Sequence, residues 1–281
     1  MPNSNSFNLI FVGDIVGRSG RDALAAHLPG LIARHSPELV VVNGENSAHG
    51  FGISPAICDQ MFDLGVDVIT TGNHVWDQRE IVGHIDSEPR LLRPLNYPPG
   101  TPGQGYHLST GKTGKRVLVA NVMLRLFMDA MDDPFTAIDT LVAKAPLRTA
   151  VDAILVDVHG EATSEMMAMG HYLDGRVSAV LGTHTHVPTA DHHVMSGGTA
   201  YQSDAGMTGD YRSVIGMKPG PAVYRFTRKL PSERLSPADG EGTLCGAIVR
   251  VNGEGLADSI LPIRLGGALQ QAVPVADVDE S

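Results

Sequence analysis

The sequence predicts an α/β protein in which short buried strands alternate with helices around a largely parallel sheet. Six apolar runs are short, rich in β-branched residues and almost free of polar alternation, which is typical of strands covered on both faces. The stretches between several of them carry apolar residues at helical spacing. The six predicted strands are residues 9–12, 39–42, 66–70, 117–122, 153–158 and 177–181.

The predicted helices follow these strands in order. The first is predicted over residues 21–35, where apolar residues recur at about 3.6-residue spacing, although Pro29 predicts a kink or an earlier end. The second has clearer boundaries, because Ser54 is a suitable N-cap, Pro55 suits the first helical position and Gly65 suits the C-terminal turn. A third helical stretch lies between the fifth and sixth strands.

The last third of the chain has a different pattern. Residues 201–217 are rich in Gly, Ser and Asp, which predicts a loop that either moves over a substrate or packs on a neighbouring subunit. Asn252-Gly253 predicts the turn of a hairpin, and the acidic stretch 270–281 predicts a frayed tail. Because no change in composition divides the chain, we predict a single domain over residues 1–281.

Composition limits the classes of function. A hydrophobic content of 42% and a charged content of 19% are typical of globular proteins. The net charge of −10 disfavours a nucleic-acid polymer unless a basic patch or bound cations reverse the field locally. It is compatible with a small phosphate ester as partner, because bound metal ions can outweigh the average charge at a site. Cys58 and Cys245 form no disulfide framework, and the N-terminal stretch resembles neither a signal peptide nor a membrane span. A cytoplasmic protein is therefore predicted.

Polar clusters follow five of the predicted strands. Because the carboxyl ends of parallel strands meet at one edge of a sheet, we expect these clusters to converge. Burying them without partners would cost roughly 1–3 kcal/mol per unpaired group, and a pair of divalent cations would satisfy them. Mixed oxygen and nitrogen ligands favour manganese, iron or zinc over calcium. The clusters are Gly13-Asp14, Asn43-Gly44-Glu45-Asn46, Gly72-Asn73-His74, Asp157-Val158-His159-Gly160-Glu161 and Gly182-Thr183-His184-Thr185-His186.

The last cluster allows two interpretations. A single pair of histidines at a strand end is more often a hydrogen-bonded structural feature, but five aligned clusters favour metal ligation. Alternate residues on an extended segment point in opposite directions, so His184 and His186 are predicted to serve two neighbouring ions instead of chelating one.

At these residues the sequence resembles the calcineurin-like metallophosphoesterases. The strongest matches are Gly72-Asn73-His74 and the run from Gly182 to His186. The chain departs from the superfamily pattern where Ile15 and Val16 follow Asp14, in place of Asp-x-His, and where Glu45 replaces the bridging aspartate.

This variant resembles the bacterial YmdB-type branch of that superfamily. The matching segments are residues 13–17, 43–46, 159–165 and 204–209, in the same order and within a span from about residue 9 to residue 217. The resemblance implies a four-layer α/β/β/α sandwich with mixed sheets and a dinuclear site that takes iron or manganese, with zinc as an alternative. It also implies phosphodiesterase activity on 2′,3′-cyclic nucleotides, and it suggests self-association.

Carried over to this chain, the resemblance implies a role for eight of these polar residues. Glu45 bridges two metal ions, and His74 stays unligated and faces the substrate as a general acid. One ion is held by Asp14, Glu45, Asn46 and His186, and the other by Glu45, Asn73, His159 and His184.

The implied mechanism is attack by a metal-activated water with His74 protonating the leaving oxygen, so that opening of the 2′ bond leaves a 3′-nucleotide. Two alternatives remain open from the residues. One is a phosphomonoesterase or nucleotidase that uses the same metals, and the other is a regulatory protein that binds nucleotides without hydrolysing them.

Overall fold

The computed structural model describes residues 5–231 and 233–275, and within them eleven strands form two mixed sheets. The strands are β1 (Phe7–Val12), β2 (Leu39–Asn43), β3 (Val68–Thr70), β4 (Tyr106–Thr110), β5 (Arg116–Met123), β6 (Ala153–His159), β7 (Ala179–Thr183), β8 (His193–Val194), β9 (Ala200–Gln202), β10 (Leu244–Val251) and β11 (Ala257–Leu265). The helices are α1 (Gly17–His35), α2 (Pro55–Asp63), α3 (Ile81–His84), α4 (Pro134–Lys144), α5 (Thr163–Leu173) and α6 (Pro219–Arg228).

The first sheet has the strand order β11-β10-β1-β2-β3. β1, β2 and β3 are parallel, whereas β10 runs antiparallel to both β1 and β11. β10 and β11 form the hairpin predicted from Asn252-Gly253, and the Asn252 side-chain oxygen accepts hydrogen bonds from the backbone N–H groups of Glu254 and Leu256. The hairpin prediction is therefore confirmed.

The second sheet has the order β4-β5-β6-β7-β9-β8, with a parallel centre and antiparallel strands at both edges. All six predicted strands are present, but they are divided equally between the two sheets. The expectation of one largely parallel sheet was therefore wrong, whereas the mixed sheets of the α/β/β/α expectation are confirmed. Local patterns identify buried strands, but pairing between strands is decided by contacts distant in sequence.

Alternate residues of each strand point to different cores. Leu9 and Phe11 of β1 contribute to a core that also contains Val119 and Leu155 of the second sheet, so the two sheets pack face to face. The opposite face of the first sheet packs against α1 and α2, and that of the second sheet packs against α4 and α5. The layers therefore run helix, sheet, sheet, helix.

The boundaries of α1 and α2 show which local signals dominate. α1 begins at Gly17 and continues through Pro29 to His35, because Leu28 and Leu31 on either side of the proline are buried in the core. The predicted end at residue 35 is therefore confirmed, the alternative of an earlier end at Pro29 is wrong, and the helix begins four residues before the predicted start. α2 begins as predicted, since the Ser54 side chain accepts a hydrogen bond from the Ile57 N–H.

The described C-terminal residues run back along the first sheet. Ala272 pairs with Arg264 in an antiparallel bridge, and residues 276–281 of the predicted tail lie outside the described residues. In the part of the chain that the structure describes, no helix is both long and apolar enough to cross a membrane.

Candidate metal centre

The five polar clusters converge where the carboxyl ends of strands from both sheets meet. Asp14 follows β1, Glu45 follows β2 and Asn73 follows β3, all in the first sheet. His159 ends β6 and His184 directly follows β7, both in the second sheet. The site therefore lies across the two sheets, so the packing of one sheet on the other decides its geometry.

One group of polar atoms surrounds Nε2 of His159. This atom lies 2.9 Å from Oδ1 of Asn73, 3.1 Å from Oε1 of Glu45 and 3.1 Å from Nδ1 of His184. Such separations of about 3 Å are expected between neighbouring ligand atoms when metal bonds are about 2.1 Å long. Glu45, His159 and His184 together form a set of ligand atoms within 4.8 Å of one another, as a metal ion requires.

The other side of the His159 ring decides which nitrogen can act as a ligand. The Thr183 hydroxyl donates to Oδ1 of Asp157 at 2.7 Å, so it accepts a hydrogen bond from Nδ1 of His159 at 2.9 Å. His159 thus carries hydrogen on Nδ1, so in its neutral form the lone pair of Nε2 points into the site, an arrangement typical of metal-binding histidines. His184 is held in the opposite sense, with Nε2 3.2 Å from Glu161 and Nδ1 facing the site.

A second group of polar atoms lies around Asp14, which is fully buried. Oδ2 of Asp14 accepts a hydrogen bond from the His184 N–H, whereas Oδ1 has no hydrogen-bond partner among the described residues. Nε2 of His186 lies 4.0 Å from this unpaired oxygen and 3.2 Å from the side-chain amide of Asn46. A cation between these groups would satisfy an oxygen whose burial is otherwise unfavourable.

Glu45 contacts members of both groups. Its Oε1 lies 3.1 Å from Nε2 of His159 and accepts a hydrogen bond from the Asn46 amide at 3.2 Å, while Oε2 accepts from the His74 N–H. A Cβ atom at Gly72 would lie 2.3 Å from the His159 ring and 2.4 Å from Oε2 of Glu45. Only glycine leaves room for this approach, which explains the residue before Asn73.

The charges of the site depend strongly on one another. Burial alone would raise the pKa of Glu45, but the adjacent His159 outweighs burial and holds this pKa at about 2. Burial conversely disfavours the His159 imidazolium, yet Glu45 raises the pKa of His159 to about 9. Burial and the neighbouring His159 lower the pKa of His184 to about 3. Without a metal ion, protonated His159 therefore supplies the positive charge that balances Glu45. A divalent cation bound at the site would take over this role, and His159 would then be neutral.

His74 lies at the edge of these groups. Its side chain is 30% exposed, its Nδ1 lies 2.8 Å from Oδ2 of Asp77, and its ring contacts Phe51 edge-on with centroids 5.2 Å apart. Asp77 therefore orients the imidazole of His74, so that Nδ1 faces Asp77 and Nε2 points away from it. Sequence reasoning missed Asp77, although its position three residues after His74 within one turn was a usable signal.

The two histidines of the last cluster lie beyond the end of β7 in a turn. Their φ values of 106° for His184 and 65° for His186 belong to the left-handed region that non-glycine residues rarely adopt. The expectation of an extended segment with alternating side chains was therefore wrong. The rings still reach different partners, because His184 faces His159 and His186 faces Asn46.

The segment 201–217 stabilises this turn. Oδ2 of Asp204 accepts hydrogen bonds from both the N–H and the hydroxyl of Thr185, each at 2.8 Å. The Ile215 carbonyl accepts from Nδ1 of His186 at 2.8 Å, which directs Nε2 of that ring into the site. No local pattern in the sequence marked Asp204 as the partner of Thr185 or the Ile215 carbonyl as the partner of His186, because these contacts join distant segments.

A family model and a similar enzyme both cover most of this chain. Residues 10–263 match the family model of the YmdB-like protein. The chain is 44% identical over 244 residues to the 2′,3′-cyclic-nucleotide 2′-phosphodiesterase of Bacillus subtilis, with 87% of this chain and 91% of that protein covered.

Two solved structures are similar over most of their length. A protein of Thermus thermophilus matches with a TM-score of 0.86 and 42% identity, covering 93% of this chain and 100% of that one. A phosphatase of Mycoplasma pneumoniae matches with a TM-score of 0.86 and 31% identity, covering 93% of this chain and 94% of that one.

Proposed function

This chain belongs to the YmdB-like protein family, whose named relatives hydrolyse phosphoric esters, and we propose that it is a metal-dependent phosphodiesterase that converts 2′,3′-cyclic nucleotides to 3′-nucleotides. The observation that carries the proposal is the convergence of Glu45, His159 and His184, beside the unpaired oxygen of Asp14, in a chain 44% identical to an enzyme of that name. The proposed unit is a single metallophosphoesterase domain spanning residues 1–281.

We assign two metal ions to this site. The contacts of Nε2 of His159 support a set that consists of Glu45, Asn73, His159 and His184. The unpaired Asp14 oxygen and the approach of His186 to Asn46 support a second set that consists of Asp14, Glu45, Asn46 and His186. In this second set the Asn46 amide nitrogen faces Glu45 and His186, so ligation requires a half-turn of the amide that presents its oxygen instead.

The bound cations, iron or manganese on the character of these ligands, would oppose the phosphate charge and supply a water nucleophile at neutral pH. The protein must then provide the proton for the leaving group. As the water oxygen bonds to phosphorus, the P–O2′ bond breaks and the 2′ oxygen takes a proton from Nε2 of His74. One proton of the attacking water is released to solvent, and His74 regains a proton from solvent before the next turnover. Asp77 accepts a hydrogen bond from Nδ1 of His74 and so keeps Nε2 directed away from itself.

The alternatives differ in what they require of the site. A nucleotidase would use the same residues on a phosphomonoester, whereas a protein that only binds nucleotides has no use for an oriented proton donor. The His74–Asp77 pair beside the ligand set therefore favours catalysis. The two buried free cysteines, Cys58 and Cys245, support the proposed cytoplasmic location, and self-association stays a prediction.

The test combines metal analysis with a substrate screen. Protein purified without oxygen is expected to carry two metal ions per chain, to hydrolyse 2′,3′-cyclic AMP, and to prefer bis-p-nitrophenyl phosphate over p-nitrophenyl phosphate. Treatment with a chelator is expected to abolish turnover, and added Mn²⁺ is expected to restore it. Preference for the monoester would favour the nucleotidase, and nucleotide binding without turnover in the metal-loaded protein would favour the regulatory protein.

A further inference from the structure

A basic arm projects from the fold next to the metal centre. We define the arm as residues 218–231 and 233–236. Its two ends are joined by a hydrogen bond of 2.9 Å from the Lys218 N–H to the Ser236 carbonyl, and Met217 pairs with Pro237 just beyond them. α6 forms most of the arm between these ends.

The charge of the arm is opposite to that of the rest of the chain. It holds five of the 21 Lys and Arg residues and one of the 31 Asp and Glu residues of a protein whose net charge is −10. Lys218, at the base of the arm, pairs with Asp239 at 2.9 Å. Such a concentration of positive charge favours an anionic partner. The basic residues are Lys218, Arg225, Arg228, Lys229 and Arg234.

The surface of the arm also presents rings and a cleft. Ala222 of α6 is buried, whereas Phe226 is 79% exposed and Tyr224 is 41% exposed. A cleft of about 440 Å³ lies between α6 and the segment that follows it, a volume within the range of small-ligand sites. Aromatic and proline faces suit the flat surface of a nucleobase. The cleft is lined by Gly220, Pro221, Tyr224, Pro231 and Glu233.

The base of the arm adjoins the metal centre on two sides. The Ile215 carbonyl, three residues before the arm, accepts the hydrogen bond from His186. Met217 and Leu235 lie in a small apolar cluster with Phe51, whose ring contacts His74. Since a helix of ten residues is about 15 Å long, the far end of α6 lies no more than about 15 Å from its own first residue, which is next to the base of the arm.

We propose that the arm binds the nucleotides that precede a terminal 2′,3′-cyclic phosphate, so that the substrate is the end of an oligoribonucleotide instead of a free cyclic mononucleotide. This inference rests on the proposed function and names the substrate class of the same site. The basic residues neutralise the strand's phosphates, and the cleft beside Tyr224 accepts a base. The arm is a local basic patch of the kind that allows a chain of net negative charge to bind a phosphate polymer.

The experiment compares two substrates of the metal-loaded full-length protein. We measure kcat/KM for 2′,3′-cyclic AMP and for penta-adenylate that ends in a 2′,3′-cyclic phosphate, at several salt concentrations. The pentanucleotide is expected to be preferred by about tenfold or more at low salt, because its extra phosphates release counterions on binding. The preference is expected to shrink as salt rises, with a slope of about 0.7 per phosphate contact on logarithmic axes.

Variants of the arm test whether the preference for the pentanucleotide over 2′,3′-cyclic AMP depends on residues of the arm. Arg228→Gln and Tyr224→Ala are each expected to lower the ratio of pentanucleotide to mononucleotide efficiency several-fold. Lys144→Gln removes the same charge from the exposed end of α4 and is expected to leave this ratio unchanged. Equal efficiencies for the two substrates, or a ratio that the arm variants do not alter, would overturn the inference.

Two further outcomes are distinguishable from substrate binding by the arm. One is that the arm holds an oligomer together, and the other is that the proposed catalytic function is itself wrong. If sedimentation shows that the arm variants dissociate an oligomer while the substrate ratio stays constant, the arm serves self-association and the inference is wrong. If the metal-loaded protein does not hydrolyse 2′,3′-cyclic AMP or the pentanucleotide, the proposed function fails. Fluorescence anisotropy with penta-adenylate bearing a 3′-phosphate then tests independently whether the arm binds an oligoribonucleotide. Weaker binding by Arg228→Gln than by the unmodified protein would support binding by the arm, and equal binding would refute it.

Discussion

Two networks around buried carboxylates lie side by side in this protein, and only one of them is complete within the described residues. In the Asp157 network, Asp157 accepts hydrogen bonds from Thr70 at 2.5 Å, from Thr183 at 2.7 Å and from Asn43 at 3.0 Å. In the metal centre, Oδ1 of Asp14 has no hydrogen-bond partner in the same part of the chain. Thr183 joins the two networks, because it donates to Asp157 and accepts from His159.

The comparison shows that burial alone does not identify a metal site. Asp14 and Asp157 are both fully buried, and burial raises the pKa of each. Three neutral donors satisfy Asp157, so its network stabilises the junction of the two sheets without a cation. Asp14 has an unpaired oxygen and lies near the further negative charge of Glu45, so it needs positive charge. The lack of hydrogen-bond donors around Asp14, more than the presence of acidic residues, is what supports the proposed metal site there.

The largest expected effect is on the metal centre. Glu45→Gln removes the carboxylate that contacts both ligand groups, so we expect both metal ions to be lost and turnover to fall by at least about 10³-fold. Metal per chain is measured by mass spectrometry alongside kcat. Glu165→Gln is the control, since Glu165 is also buried but accepts from the backbone of Arg125 and Leu126. A Glu45→Gln protein that retains two metals per chain would contradict the bridging role.

The next largest effect is expected at His74, which lies at the edge of the metal centre. His74→Ala should leave the metal content near normal and lower turnover of 2′,3′-cyclic AMP by about 10²–10⁴-fold, because the leaving oxygen loses its proton donor. Bis-p-nitrophenyl phosphate should be affected less, since p-nitrophenolate departs without a proton. If metal is lost and turnover falls only in proportion, His74 is a ligand and the acid role is wrong.

The Asp157 network should respond in stability instead of metal content. Asp157→Ala leaves three buried donors without their acceptor, so we expect a loss of about 3 kcal/mol in the free energy of unfolding. Urea denaturation of the chelator-treated protein measures this loss. Asp157→Asn keeps one acceptor oxygen and serves as the milder comparison. A stable Asp157→Ala variant that has lost its metals would place Asp157 in the metal centre and merge the two networks.

Thr183 tests whether the hydrogen bond between the two networks contributes to metal binding. Thr183→Val keeps the shape of the side chain but removes the hydroxyl that holds Nδ1 of His159. We expect metal affinity to fall about 10–100-fold, as is typical when the partner of a ligating histidine is lost, and stability to fall by about 1 kcal/mol. Calorimetric titration with Mn²⁺ measures the affinity, with Thr140→Val on the exposed face of α4 as control. Unchanged affinity would show that Thr183 serves Asp157 alone.

The smallest effect concerns Asp204, another buried carboxylate. Burial raises the pKa of Asp204 to about 7, although hydrogen bonds from Gly206 and Thr185 oppose the rise. Since the folded state binds this proton more tightly than the unfolded state, stability declines as pH rises from about 4 towards 7. Across pH 6 to 7 we expect the metal-free protein to lose about 1 kcal/mol, and Asp204→Asn to lack this loss. Equal pH slopes in urea denaturation would contradict the assignment.

Local patterns predicted much of the fold and of the candidate site. The short apolar runs located six strands, Ser54 located the start of α2, and Asn252-Gly253 located the hairpin. The polar clusters at the strand ends supplied every residue assigned to the two ligand groups. These features are readable because burial, capping and turn formation depend on residues close together in the chain.

Contacts between distant segments decided the rest. The division of the strands into two sheets, the course of α1 through Pro29 and the left-handed turn at His184 and His186 all depend on what packs against each segment. The amino-acid pattern thus determined which side chains could bind metal. The family resemblance implied that Asp14 and not Asp157 binds metal, but only the tertiary structure supplied the physical reason. Asp14 keeps an unpaired oxygen and Asp157 does not, because the fold decides which hydrogen-bond donors lie beside each carboxylate.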